Sequence, residues 1–374
     1  MPLPRYIWLY LLLTVCSVAC KKEGEEITPQ ADPILSWQTD NDFLFDEKTQ
    51  LNSYADTSLI ILSGAQTTAI APGEQRSKSD TTFTHYAGQA QPNGRTDYRP
   101  FLSSSFIAFL NDDRVDVFPT ASPVLARGND YIRMRQLDAD FAGFIPLAVN
   151  QGETMVVNRQ NQLIVPYQRY DRSYSTPVIN GGNISIVLIS INVAAWPNLG
   201  LDVTKTQLVT LEGAGFPYSM GSAGDYFIVS TATGTFRIAP DGVFQKTYPY
   251  GLLRQFSYNG TVYGLTYANS SSLQLVASTD QGKTWSVVAT QVPDTYRLLT
   301  YKQVNNLLIG MYNSQLFQIQ LTTTTLTPTE LDNTNLFGNR ITSVAAFHNT
   351  VYVSTLSGVF TKPLRAFLTP KKGK

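Results

Sequence analysis

Two histidines, His85 and His348, supply all the imidazole in this chain, and that bounds its chemistry. A Ser-His-Asp relay needs an imidazole between nucleophile and carboxylate, and a histidine metal site needs partners at ligand spacing. Neither histidine has such a partner, and His348 lies in Phe347-His348-Asn349, beside an expected turn. The acidic pairs Asp112-Asp113 and Asp138-x-Asp140 offer oxygen ligands. They lack the ligand number and glycine of a calcium loop, and read as turns. Arg133, Arg135, Arg159, Arg169 and Arg172 form the densest arginine group, a type that clamps carboxylates in pairs. Spacing alone does not bring them together, and solvated strand faces explain them as well. Gly213-Ala214-Gly215 lacks the third glycine of a phosphate cradle and reads as a bend, and Asn180-Gly181-Gly182-Asn183 reads as a loop. HExxH, GxSxG and P-loop patterns are missing. No catalytic residue, metal or cofactor is assigned.

The most specific motif is Ser278-Thr279-Asp280-Gln281-Gly282-Lys283-Thr284-Trp285. A tight turn needs a Gly that tolerates positive φ and an Asp that accepts backbone N–H bonds across the loop. An indole after the turn can fold onto the sheet and lock it. The pattern S-x-D-x-G-x-T-W resembles the Asp-box of sialidase-like (BNR-repeat) β-propellers. The resemblance implies that Ser278, Asp280, Gly282, Thr284 and Trp285 are structural, on an outer rim away from a central pocket. Weaker forms recur at Ser230 to Phe236 and Ser354 to Phe360; the eight residues from Val229 and from Val353 share five identities. The resemblance also raises sialidase chemistry, with three arginines, a Tyr nucleophile with a Glu partner, and an Asp acid/base. The family's early F/Y-R-I-P motif is absent, and Phe236-Arg237-Ile238-Ala239 comes late, after a hairpin.

The positioning elements read as strands. Short runs rich in Val, Ile, Leu, Tyr and Thr alternate with Gly, Asn, Asp and Ser clusters, with almost no helical period. The clearest are Leu59–Leu62, Phe106–Leu110, Met155–Val157, Ile184–Val193, Leu208–Leu211, Tyr226–Ser230, Val262–Thr266, Leu273–Ser278, Leu307–Tyr312 and Val351–Ser354. Hairpins are expected near Gly64, Asp112, Gln160, Asn198, Ala232, Gln281, Ser314 and Leu356, spaced from the mid-thirties to the high forties. That is the size of a four-stranded blade, and a two-sheet sandwich would show no such repeat. The expected fold is all-β, a single β-propeller over residues 34–368. Seven four-stranded blades are chosen, with six and eight left open. Ile341 to Leu368 supplies three strands, and residues near Ile34 to Trp37 or Phe43 to Phe45 are expected to add the fourth and seal the ring.

The ends give an address. Arg5, the apolar run Tyr6 to Val15, and Ser17-Val18-Ala19 before Cys20 form an export signal over residues 1–19. It resembles the lipobox of bacterial lipoproteins, which implies lipidation of Cys20 and anchorage to the membrane through acyl chains. Lys21 in place of an Asp favours the outer membrane, and Glu23, Glu25 and Glu26 leave surface or periplasmic display open. Residues 20–33 read as the lipidated cysteine and a tether, and residues 369–374 as a frayed basic tail. Cys16 leaves with the signal, so no disulfide is available. Lys and Arg total 28 against 28 Asp and Glu, which gives no electrostatic case for nucleic acid.

Tyr167, Tyr170, Tyr174, Tyr248, Tyr250 and Tyr258 fall in loop-like segments, and exposed tyrosines suit binding faces. The leading expectation is a noncatalytic, outer-membrane-anchored propeller that binds a protein or glycan partner through one face of the ring. A surface glycoside hydrolase is the alternative, and a structural component of an envelope complex is the second.

Overall fold

The computed structural model describes residues 36–40, 50–54, 58–63, 66–70, 77–79, 101–103, 105–111, 114–119, 130–137, 144–146, 155–171, 178–179, 182–193, 201–268, 271–336 and 338–371. All ten apolar runs named above fall in strands or directly against one. Most are second strands of their sheets, and burial explains why. Ile184–Val193 and Tyr226–Thr231 are covered on both faces, so they read as continuous apolar runs. Outer strands such as Phe244–Tyr248 are largely solvated and carry no such signal.

The strands pair into seven antiparallel sheets among the described residues. Five of these are four strands consecutive in the chain. They run from Gln50–Tyr54 to Ser77–Ser79, Phe101–Leu102 to Asp130–Arg133, Pro217–Ala223 to Phe244–Tyr248, Arg254–Tyr258 to Ser286–Val292, and Thr300–Val304 to Leu326–Glu330. A wider sheet of six strands lies between the second and third of them in sequence, built on Gln162–Asp171, Ile184–Val193 and Leu201–Leu211. The last sheet joins the two ends of the described chain. Ile341–Phe347, Thr350–Thr355 and Gly358–Pro363 come from the C-terminal side, and Gln38–Thr39 adds the outer strand.

The core sits between sheets. Leu59 and Ile61 pack on Phe347 and Val359 of the closing sheet. Phe106 and Val117 meet Leu163 and Ile189 of the six-stranded sheet. Ile186 and Leu211 meet Phe227 and Phe236, and Ile228 meets Val262. Leu265 and Leu275 meet Leu308 and Ile319. Ile309 and Leu316 meet Val344 and Val353. From the second sheet to the closing one, consecutive sheets thus share apolar clusters, and the closing sheet returns to the first. With the innermost strands of neighbouring sheets side by side, this is a β-propeller of four-stranded blades.

Closure falls one residue beyond the first expected segment: Gln38 pairs with Thr361 and Thr39 with Phe360. Trp37 anchors that strand and is 1% exposed. Its indole N–H donates to the Asp332 carbonyl at 3.0 Å, and its ring meets Phe367 edge-on with centroids 6.1 Å apart. Phe43 to Phe45, Cys20 and the whole signal and tether lie outside the described residues. The expected frayed tail is held as far as Lys371: Pro370 bridges Leu331, and Lys371 Nζ lies 2.7 Å from Glu330 Oε1.

The eight expected hairpins fall on seven sheets because Gln160 and Asn198, the latter outside the described residues, both come between strands of the same one, the six-stranded sheet. They also mix turn types. Those near Gly64 and Asp112, themselves outside the described residues, and near Ala232, Ser314 and Leu356 come between second and third strands, whereas that near Gln281 comes between third and fourth. Spacing wanders for that reason. Successive strands run oppositely, so each sheet has two ends. First-to-second and third-to-fourth turns share one end, here the box face. Second-to-third turns share the other with the links to the next sheet, here the link face.

Candidate functional site

Residues 278–285 form the best-defined turn on the box face. Ser278 Oγ donates to Asp280 Oδ1 at 2.8 Å and accepts the Gly282 N–H at 2.8 Å. Asp280 also accepts from the Thr284 N–H at 2.9 Å and from the Thr284 hydroxyl at 2.6 Å. These bonds, led by those from Thr284, hold the Asp280 carboxyl well below the usual carboxylate range. Gly282 has φ +81°, and a Cβ there would come 2.1 Å from Ile228 Cδ1 of the preceding sheet. Trp285 does not turn back onto its own sheet alone. Its Nε1–H reaches Thr247 Oγ1 at 3.3 Å, and its ring lies 6.0 Å from that of Tyr248. The turn is therefore a clasp between two sheets.

The two weaker copies are a different turn. Ser230 to Phe236 and Ser354 to Phe360 join second and third strands and lie on the link face. Each is closed by a buried threonine. Thr231 Oγ1 donates to the Gly234 carbonyl at 3.0 Å, and Thr355 Oγ1 to the Gly358 carbonyl at 2.9 Å. They are copies of each other, and not degenerate forms of the 278–285 turn.

The arginine group is spread over separate elements, with Arg135 in the short helix Met134–Leu137 and Arg169 in the strand Gln162–Asp171. Arg159 is exposed on the box face and pairs with Asp225 at 3.1 Å, and Arg133 ends an outer strand. Arg172 lies outside the described residues, as do His85, Asp112, Asp113, Asp138 and Asp140. Arg237, of the Phe-Arg-Ile-Ala segment, sits over the Tyr226 ring at 3.2 Å and donates to the Gln281 carbonyl at 2.8 Å. It braces the 278–285 turn. His348 is an exposed turn residue with φ +50°. Gly213 and Gly215 have positive φ, and Gly215 N–H donates to the Gly182 carbonyl at 2.7 Å, which makes the segment a bend packed on a loop.

The tyrosine reading needs one correction. Tyr167 is 0% exposed in the core, because it lies mid-strand between two sheets. Tyr170 lies in the same strand and Tyr174 lies outside the described residues. Tyr248 and Tyr250 stack edge to face at 5.5 Å, half-buried, and Tyr258 donates to the Asn306 carbonyl at 2.9 Å.

Three groupings have no local sequence signal. On the link face, the Tyr267 hydroxyl bonds to the Asp294 carboxylate, which also accepts from Arg297 Nε at 3.0 Å. Between inner strands, Lys302 Nζ donates to Ser343 Oγ at 2.9 Å, and burial lowers its ammonium to about 8. At the closure, Lys362 Nζ lies 2.8 Å from Asp332 Oδ2 and 5.5 Å from the Trp37 ring centroid. Among the described residues, no group of three or more His, Cys, Asp and Glu side chains is placed to hold a metal ion.

Six large hydrophobic side chains are exposed among the described residues: Phe216, Val243, Phe244, Val287, Leu298 and Tyr312. Val243, Phe244 and Val287 line outer strands or the turn before one. Phe216, Leu298 and Tyr312 lie on the link face, Phe216 on one sheet and the other two on the next but one, at the starts of innermost strands or the end of a second strand.

No family model matches the sequence, and no curated protein matches it. Among solved structures, the extracellular domain of a hybrid two-component system from B. thetaiotaomicron aligns with a TM-score of 0.47 at 13% identity, over 87% of this chain and 39% of that one. The chain therefore spans about two fifths of that structure's length. Apo AztD from Citrobacter koseri aligns at 0.48 and 12% identity, over 88% and 92%. The AfRom2 CNH domain aligns at 0.41 and 8% identity, over 87% and 97%. The propeller assignment rests on the strand pairing and inter-sheet clusters, not on these likenesses.

Proposed function

We propose that the chain is a noncatalytic, outer-membrane-anchored propeller lipoprotein that binds a protein or glycan partner through its link face, and that all seven sheets serve as blades. The observation that supports the binding face is that Phe216, Leu298 and Tyr312, all exposed, stand at the same end of their sheets. Exposed aromatic and aliphatic side chains ringed by polar groups mark recognition surfaces. The lipid anchor rests on the sequence before Cys20.

The test compares binding by variants of the purified full chain against polysaccharide and envelope-protein panels. Wild type and Asp280→Ala should retain the bound partner, and Phe216→Asp should lose it. Equal retention by Phe216→Asp would move the site off this face. Reporter glycosides complete the test, because turnover abolished by one carboxylate substitution would overturn the noncatalytic reading.

A further inference from the structure

We propose that Arg297, Leu298 and Tyr312 form a subsite for an anionic polysaccharide. The guanidinium meets a sugar carboxylate or sulfate, and the two apolar side chains meet the sugar's apolar face. This rests on the reading of the link face as the binding face.

Placement is the first support. Thr300 pairs with Met311 at the link end of its sheet, so the residues just before Thr300 run alongside Tyr312. Leu298 and Tyr312, each 38% exposed, therefore lie at the link end of the same sheet, and Arg297 directly precedes Leu298. The turn residues Asn313 and Ser314 add an amide and a hydroxyl suited to sugar hydroxyls.

Preorganisation is the second. Arg297 Nε donates to Asp294 Oδ1 at 3.0 Å and to Oδ2 at 3.1 Å. The Tyr267 hydroxyl bonds to the same carboxylate, and the Arg254 guanidinium donates to the Arg297 carbonyl at 3.3 Å. The Tyr267 bond, followed by that of Arg297, lowers the Asp294 pKa, so the carboxylate stays ionised and keeps its hold on Nε. Among the described residues Asp294 is bonded through Nε, and the Arg297 side chain stays 42% exposed. The guanidinium, which also interacts with the Tyr267 hydroxyl, is thus held in one orientation with part of its surface open to solvent, a planar donor group of the kind that recognises planar or tetrahedral oxyanions.

Ligand class follows from the combination. A fixed guanidinium is wasted on a neutral sugar, and an apolar plane is wasted on a free inorganic anion. An acidic sugar carries both an apolar ring face and a charged substituent, and a polymer repeats them. Carboxylate and sulfate present the same charge to the guanidinium, so the probes separate them.

The experiment measures binding of the full chain to polygalacturonate, dextran sulfate and neutral dextran, with melting temperatures taken in parallel. Wild type should bind at least one charged polymer, more weakly as salt rises. Arg297→Met should weaken that binding about tenfold or more at unchanged melting temperature, and Arg297→Lys should restore only part of it. Wild-type affinity in Arg297→Met, or no binding of either charged polymer by wild type, would overturn the subsite. Dextran binding lost in Phe216→Asp but indifferent to Arg297→Met would remove the subsite and keep the binding face. Partner capture that ignores Phe216→Asp would remove both.

Discussion

Asp280 satisfies donors two to four residues away, and such short-range bonding is what a sequence motif can encode. Removing it should be a stability event. Asp280→Ala is expected to cost about 1–2 kcal/mol, less than the roughly 1.5–3 kcal/mol of hydrogen bonds to charged groups because solvent screens this exposed turn, with ligand binding intact. A binding loss at unaltered melting temperature would place the residue in a site instead. Because its folded pKa lies below the unfolded value of about 3.9, the native state stays ionised where the unfolded chain already takes up protons. The stabilisation is complete above that unfolded value and fades as pH falls toward the folded one. The stability gap between wild type and Asp280→Asn should therefore be constant near neutrality and narrow below about pH 4. Gly282→Ala meets both a positive φ and the Ile228 side chain, and should cost roughly 1–3 kcal/mol by denaturant titration. The motif announces its glycine, but the contact with Ile228, more than fifty positions earlier, is invisible to it. Distance in sequence also hides the setting of Arg297: Tyr267, which bonds to the Asp294 carboxylate that holds it, comes 27 residues before Asp294 in a stretch with no motif.

Closure depends on an outer strand of two residues, Gln38–Thr39, which by itself contributes few hydrogen bonds. Its hold comes from Trp37, buried among Ile341, Val353 and Phe367, and from the Lys362–Asp332 pair against which the indole packs. Trp37→Ala should cost about 3–5 kcal/mol, read as a lowered melting temperature of the full chain. Lys362 is 0% exposed, so Lys362→Met leaves a carboxylate facing an apolar wall and should be destabilising by a similar amount. Deleting residues 31–46 uncovers the edge of Gly358–Pro363, and aggregation on size exclusion is the expected outcome. A soluble deletion of equal stability would show that the ring closes without this strand. The need for a closing strand followed from counting three strands in the C-terminal repeat. Which residues supply it did not, because Gln38 and Thr39 are polar and carry no strand pattern of their own.

For the molecule as a whole, the strongest sequence signal came from second strands, since a sheet covered on both faces must be apolar on both sides of its middle. Where the protein resides is a separate question with a direct test. Cys20→Ser should shift the chain from the membrane to the soluble fraction, and continued membrane retention would contradict the lipid anchor. The sequence by itself determined an all-β chain with repeats of blade size, and it located the turn at Ser278 to Trp285. Period, glycine placement and local side-chain-to-backbone bonds are properties of short segments, so they can be read without the fold. Only the tertiary structure decided that this turn clasps the neighbouring sheet, that its apparent copies are another turn at the opposite end, and that Phe216, Leu298 and Tyr312 share one face. Each of these depends on which strands become neighbours. That is set by burial between sheets, a property of the closed ring that no single segment carries.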